Sequence, residues 1–371
     1  MDWLTDSFSA VQQWLYETVV QPIAFALGAG NLLEQAYDGT GWLVVGLLQI
    51  AVMLAVIAPL QRLWPVEPVT DRPAVRVDVV YTLIHRLGVF KLVMFFTFEN
   101  WLEAGIGALR ARGLPTFHLD QIWPGVTDGA LVSFLIYLVV FDFANYWVHR
   151  AQHRFNWWWA LHSLHHSQRQ MTMWSDNRNH LIDDVLRDLL FVLLAIFIGV
   201  APGQFVALVA ISQLSENFQH ANLKIWFGRI GERLWVSPRF HRLHHAVGIG
   251  HETPIKGKLS AAGPPQGAKA PSGLSPAAPI LPAQDGTGRR AVASCIGLSS
   301  AAHEVASVGV KLGGYNFGVL LPWWDLLFGT ANFERRFDPT GVRDQVERGR
   351  DYGTGFWAQQ VQGLKRLVGR A

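Results

Sequence analysis

Residues 41–60, GWLVVGLLQIAVMLAVIAPL, run for twenty residues without one charged side chain. As a helix rising about 1.5 Å per residue, that is about 30 Å, the thickness of a bilayer's hydrocarbon core. In lipid every backbone N–H and C=O must be satisfied internally, which leaves helices or closed barrels. The rest of the chain agrees with a lipid setting. Only 16% of its 371 residues are charged, against about 25% in an ordinary soluble domain. Sixteen Trp and 22 Phe suit membrane interfaces. A net charge of +3 is too small for a nucleic-acid footprint. The single cysteine, Cys295, excludes disulfide frameworks and cysteine-based metal sites. The start, MDWLTDSF, lacks the basic residues of a secretory signal.

Three further apolar regions follow. Residues 78–101 are interrupted by His85, Arg86 and Lys91, and residues 129–148 contain one charge. Residues 185–212 are broken at Gly199 to Gly203 by Pro202, which predicts two helices and a tight turn, a hairpin that enters the membrane and returns. Arg62, Arg72 and Arg76 follow the first span, and Arg150 and Arg154 follow the third. The positive-inside rule makes that shared side cytoplasmic. The expected fold is an all-α integral membrane protein with about four transmembrane or hairpin helices and a histidine-rich helical cap on the cytoplasmic face. Residues 1–40 read as an N-terminal interfacial helix, 41–128 as the first transmembrane pair and its loop, and 129–252 as the part that carries the chemistry.

That chemistry is written in histidine. Eight of fourteen histidines fall in three clusters: His149 and His153; His162, His165 and His166; His241, His244 and His245. Spacings of three and four place each set on one helical face. At this histidine frequency one HxxHH pattern is expected about 0.02 times by chance, and the chain has two. A zinc site takes four ligands, so eight or more imidazoles suit two metals. His220, after the returning hairpin, and His180, before it, fall at the same membrane face and are candidate additional ligands. His85 and His118 read as structural. Asp142 lies seven residues before His149 on the same face, where a carboxylate can accept a ligand's second ring N–H. Trp157, Trp158 and Trp159 suit either interfacial anchoring or core packing.

In order, Asp142-x-x-x-Tyr146-Trp147-x-His149-Arg150-x-x-His153, Leu161-His162-x-x-His165-His166-Ser167, Gln219-His220 and Ser237-Pro238-Arg239-x-His241-x-x-His244-His245 resemble the membrane fatty acid hydroxylase/sterol desaturase superfamily. Asn316 to Thr330, NFGVLLPWWDLLFGT, resembles its C-terminal signature. The resemblance covers about 129–252 and 311–334. It implies two iron ions held by His149, His153, His162, His165, His166, His241, His244 and His245, with His220 and His180 completing the set. Asp142, Asn145 and His251 are expected beside the ligands. It further implies O₂ as co-substrate, hydroxylation or desaturation of a membrane lipid such as a fatty acyl chain or sterol, and an external electron donor (a ferredoxin, a cytochrome b5-like protein or a flavin reductase). Tyr315 departs from the pattern, since relatives often carry His before the Asn.

Two other functions compete. A membrane zinc hydrolase wants a motif such as H-E-x-x-H, which is absent. A metal carrier wants polar residues along its spans, and these are nearly bare. Between Phe240 and Tyr315 there is no Phe, Trp or Tyr. Residues 253–309, rich in Ala, Gly, Pro and Ser, read as a disordered low-complexity insertion. Residues 310–334 then resume the catalytic part, and 335–371 form a polar C-terminal tail. His251-Glu252 and His303-Glu304 both match the HE pair that follows the third cluster in the family.

Overall fold

In the N-terminal part, Asp2–Leu15 runs through the π-helical turn Tyr16–Val20 into Gln21–Ala26, together α1. This is a computed structural model, and it describes residues 2–94, 97, 98, 100–247 and 314–370. The insertion expected at 253–309 and His251 lie outside the described residues. α1 packs along α2, Gly30–Leu63: Gln12 Nε2 donates to the Tyr37 carbonyl at 2.9 Å, and the Tyr16 and Tyr37 rings meet edge-on at 5.3 Å. Trp3 and Trp14 of α1 are exposed.

Every regular element among the described residues is helical. Two helices, α2 and Ala130–Arg154, are long and apolar enough to cross a membrane. Their apolar side chains are not hidden. Leu47, Leu48, Leu54 and Val56 of α2 and Leu131 and Leu135 of Ala130–Arg154 are exposed. Exposed apolar side chains along helices of that length suit contact with lipid or another apolar partner.

The region 78–101 does not form one span. Asp71 caps α3, Arg72–Arg86, by accepting from Ala74 N at 3.1 Å, with Pro73 in the first turn. The chain turns at Gly88, φ +80°, and resumes as α4, Val89–Met94; α5 is Asn100–Ala111. The physical reason is polar. Arg86 is buried and donates to Asn217 Oδ1 at 2.8 Å, so the end of α3 docks on the histidine-bearing part. Gly46 of α2 permits that approach, because a Cβ there would lie 1.7 Å from the Arg86 carbonyl.

The remaining helices carry the site. α6, Ala130–Arg154, turns at Phe155 into α7, Asn156–His166. The hairpin read from Pro202 is present: α8, Leu181–Ile198, ends at Gly199 in the left-handed conformation, and α9, Pro202–Gln219, returns. Both helices run beyond 185–212. Tyr137, Leu138, Phe141, Ala195, Leu208, Leu320 and Leu321 form a core shared by α6, α8, α9 and the loop after Asn316. α10 is Pro238–His244. The segment expected as a polar tail contains α11, Phe356–Leu367, which packs on α7 with Arg366 Nε on the Ala160 carbonyl at 3.0 Å.

Gly199 is the joint of the hairpin, with φ +72° and His118 Nδ1 2.5 Å from where a Cβ would sit. Gly199→Ala should cost at least about 1–2 kcal/mol for the left-handed backbone alone. A clear fall in the thermal midpoint of the detergent-purified protein is expected. Gly203→Ala, where a Cβ would meet nothing within 4 Å, should leave the midpoint nearly unchanged.

Candidate metal centre

Helix ends converge on one buried spot. His149 and His153 close α6, and His162, His165 and His166 close α7. His220 follows the last turn of α9. α10 begins at Pro238, with Ser237 Oγ accepting from Phe240 N at 3.1 Å, and presents His241 and His244 with His245 as its cap. Arg239, buried against Glu232 at 2.8 Å, holds α10 in place. All nine histidines are buried.

They sort into two groups of four. His149, His153, His162 and His166 bring one ring nitrogen each within 4.8 Å of one another, and so do His165, His220, His241 and His245. His244 joins His166 and His245 in a third set at the junction. The His166 and His245 rings stack there at 4.2 Å.

Proton counting tests whether this donor set fits a metal. In the second group the Nε2 atoms of His165 and His220 lie 3.2 Å apart, those of His220 and His241 3.0 Å, and those of His241 and His245 3.1 Å. His220 Nδ1 is 2.8 Å from the Glu216 carbonyl, so it carries the proton and its Nε2 is a bare lone pair. If His241 Nε2 donates to that lone pair, the same nitrogen cannot also accept from His245. Hydrogen bonds among neutral rings therefore cannot satisfy the whole set, whereas one shared cation can. Metal–nitrogen bonds of about 2.0–2.1 Å place neighbouring donors about 3.0–3.4 Å apart. In the first group the Nε2 atoms of His162 and His166 are buried without a hydrogen-bond partner. The donor set fits two cations, one per group.

Burial keeps these rings ready for metal. It pushes His165, His166, His241 and His245 well below the ordinary imidazole range, and neighbouring imidazoles add to the effect. They are neutral at pH 7, as a ligand must be.

The groups behind the rings differ from the sequence expectation. Asp183 Oδ2 lies 3.0 Å from His162 Nδ1, and its Oδ1 accepts from Gln152 Nε2 at 2.7 Å and Trp158 Nε1 at 2.6 Å. Asp176 Oδ1 lies 3.5 Å from His220 Nδ1. Backbone carbonyls serve two others: Phe317 O faces His149 Nδ1 at 2.9 Å, and Tyr315 O faces His244 Nδ1 at 2.7 Å. Tyr315, odd as a residue in the motif, contributes an atom that any residue has. Asn316 between them takes φ +60°, which Asn tolerates better than most side chains. Its side chain donates to the Phe240 and Asn332 carbonyls at 2.9 and 3.0 Å. The NFG signature is thus a clamp that aims one carbonyl at each of two histidines.

Asp142 does not reach His149. It accepts from Leu320 N at 2.7 Å, Leu321 N at 3.1 Å and Trp324 Nε1 at 2.9 Å, and so braces the clamp from behind. His180 is not brought into the cluster: its Nε2 faces the Gln360 carbonyl at 3.0 Å and its Nδ1 accepts from Ile182 N at 3.2 Å, capping α8. Asn145 lines the cavity beside His149 and His162. The three tryptophans divide, with Trp158 on Asp183, Trp159 packed against His153 at 5.0 Å, and Trp157 exposed.

Residues 134–252 match the fatty acid hydroxylase family. The match falls on the histidine-bearing part of the chain. Around it the chain is 25% identical over 195 residues to an ornithine lipid hydroxylase of Rhizobium tropici, covering 52% of this chain and 57% of that one. It is 28% identical over 142 residues to a very-long-chain aldehyde decarbonylase of Oryza sativa subsp. japonica, covering 36% and 23%. It is 28% identical over 106 residues to an alkylglycerol monooxygenase of Xenopus tropicalis, covering 28% and 23%. The chain thus spans 57% of the first relative's length and about a quarter of the other two. No solved structure matches it.

Two outcomes are expected of this histidine cluster. Asp183→Asn should weaken metal retention about 10–100-fold in competition with a chelator, the usual cost of removing a ligand's outer partner, whereas His180→Ala should keep the parent's metal content. The metal-free protein should lose stability with acid. Where the folded-state pKa is depressed, the unfolded chain binds more protons, so stability is full above about pH 6.5 and falls as pH drops below it. Each such histidine contributes up to about 1.4 kcal/mol per pH unit. Thermal midpoints recorded from pH 7.5 to 5.5 check the slope.

Proposed function

We propose that the chain is an O₂-dependent oxidoreductase that hydroxylates or desaturates a C–H bond of a membrane lipid at a di-iron centre. One observation carries the reading: two adjacent sets of four buried imidazoles, with ring nitrogens that hydrogen bonds among the neutral rings cannot all satisfy, at the ends of helices that expose apolar surface. All-imidazole donor sets suit first-row metals such as iron, copper, nickel and zinc. The names of the similar proteins, a lipid hydroxylase and a monooxygenase, support the same class.

In this reading His149, His153, His162 and His166 hold one ion and His165, His220, His241 and His245 the other, with His244 at the junction. Bound iron supplies the redox chemistry by which O₂ is reduced at the site. In hydroxylation one oxygen atom enters the C–H bond and the other leaves as water; in desaturation both leave as water and the lipid gives up two hydrogens. Either balance takes two electrons from an external redox protein and two protons from solvent. The residues of the chain do the positioning. Asp183 and the Phe317 and Tyr315 carbonyls fix ring tautomers, and α2, α6 and the α8–α9 hairpin hold the centre at a lipid surface. The multi-pass arrangement, with the histidines on the cytoplasmic side, is supported by Arg62, Arg72 and Arg76 at and beyond the end of α2 and by Arg150 and Arg154 in the last turns of α6.

The test is metal analysis together with oxygen uptake. Purified full-length protein should bind two iron ions per chain and consume O₂ only with both a reductase and a lipid present. One metal per chain, or no uptake with any lipid of a total extract, would overturn the reading.

A further inference from the structure

α11 is built inside out. Its buried residues are Gln359, Gln360, Gly363 and Arg366, and polar bonds hold this side to the protein. Arg366 Nε donates to the Ala160 carbonyl of α7 at 3.0 Å. Gln360 Oε1 accepts from Leu181 N, at the start of α8, at 2.9 Å, and Gln360 Nε2 donates to the Tyr81 hydroxyl of α3 at 2.9 Å. The other side is apolar and exposed. Trp357, Val361, Leu364 and Val368 recur at steps of four, three and four, so they share one helical face. All four are exposed, Trp357 by 74%. A helix on a water-soluble domain turns such a stripe toward the core. This one turns it outward, where burial against an apolar phase is favourable.

Three observations point to what covers that face. The first is a level marked on α3. Along its exposed side the residues change from Arg72 and Arg76 to Val80, Leu83 and Leu87, as they do where a helix passes from head groups into hydrocarbon. Tyr81 sits at that change, and its ring packs on Phe356 of α11 at 4.7 Å. The second is the same level on α8. Gln360 holds its first residue, and its exposed apolar side chains begin one residue on, at Ile182, and continue through Leu190 and Phe197. The third is charge. Phe356 to Arg370 contains Lys365, Arg366 and Arg370 and no acidic residue. Lys365 and Arg370 are exposed at the same end as Leu364 and Val368. A helix with Trp and aliphatic side chains on one face and Lys or Arg beside them suits the plane of an anionic lipid surface.

We propose that α11 is a membrane-surface helix, with Trp357, Val361, Leu364 and Val368 at the acyl boundary of the bilayer and Lys365 and Arg370 on anionic lipid head groups. The placement rests on the reading of α2, α6 and the hairpin as membrane-embedded. It has a consequence for the histidines. α11 holds the middle of α7, which ends in His162, His165 and His166, and the start of α8, whose first turn carries Asp183. The bilayer surface thereby supports two of the elements that frame the cluster.

Fluorescence quenching in nanodiscs of phosphatidylcholine and phosphatidylglycerol tests the placement. The full-length protein carries Cys295→Ser, so that each introduced thiol is the only one. Val361→Cys and Leu364→Cys bear the fluorophore on α11, Leu54→Cys marks the span in α2, and Glu347→Cys, at an exposed position, marks the water side. Lipid-borne nitroxides should quench the labels at 361 and 364 with the depth profile of a face buried about 5–10 Å. Iodide in the water should quench them several-fold less than the label at 347. Val368→Cys stands in for either variant that fails to fold. Labels on α11 that iodide reaches and lipid nitroxides do not overturn this inference, and quenching at 54 in the same discs leaves the span intact. Labels shielded from both quenchers, as a second copy or a protein partner would produce, overturn it too. No lipid quenching at 54 overturns the spanning reading, whatever the labels on α11 report. Lys365→Gln with Arg370→Gln, or discs of phosphatidylcholine alone, should make the labels at 361 and 364 shallower; a depth unchanged by both overturns the role of the anionic head groups.

Discussion

Nitrogen lone pairs that cannot all be hydrogen-bonded govern this structure. Three Nε2–Nε2 contacts of 3.0 to 3.2 Å link His165, His220, His241 and His245, while His220 spends its one ring proton on a backbone carbonyl. A dry cluster of neutral imidazoles with opposed lone pairs is unfavourable by itself. A cation shared by the ring nitrogens would make it favourable, and metal binding would then contribute to the folding free energy. The elements around the cluster exist to hold four helix ends to that one point.

The bracing comes in two kinds. Side-chain carboxylates act where helices are close, as Asp183 does from the first turn of α8 onto the end of α7. Backbone carbonyls act where a loop is close, as at Tyr315 and Phe317 on either side of Asn316. Two buried aspartates then hold the loop: Asp142 by the N–H groups of Leu320 and Leu321, and Asp325 by those of Phe317 at 2.9 Å and Gly318 at 2.7 Å. Gly318 is needed for that fit, since a Cβ would lie 2.7 Å from Asp325 Oδ2. The C-terminal motif is therefore part of the histidine cluster's frame, although it supplies no imidazole.

The molecule also reverses the usual arrangement of polarity. Leucines and valines of α2 and α6 are exposed, while aspartates, arginines and histidines fill the space between α3, α8 and α9. Buried charges are tolerable only when paired or bound to a metal. Arg86 on Asn217, Arg178 on Asp78 and Arg239 on Glu232 show the pairing. This polar interior also accounts for the break in α3: a helix carrying His85 and Arg86 into such a network ends there and does not continue as a span.

Several features could be read from the residues alone. Helical spacing put the histidines on shared faces, Pro202 marked the hairpin, and an uncharged run of twenty residues required a helix in an apolar setting. Each is local, resting on periodicity or one backbone constraint, and so survives whatever surrounds it. The tertiary structure decided which histidines come together: adjacent His165 and His166 fall in different groups, while His165 joins His220, fifty-five residues away. It also decided that His180 caps a helix, that Asp142 braces a loop, and that Asp183 rather than Asp142 stands behind a ring. A hydrogen bond depends on where two chain segments meet to within a few tenths of an ångström, and spacing along one segment carries no information about the other.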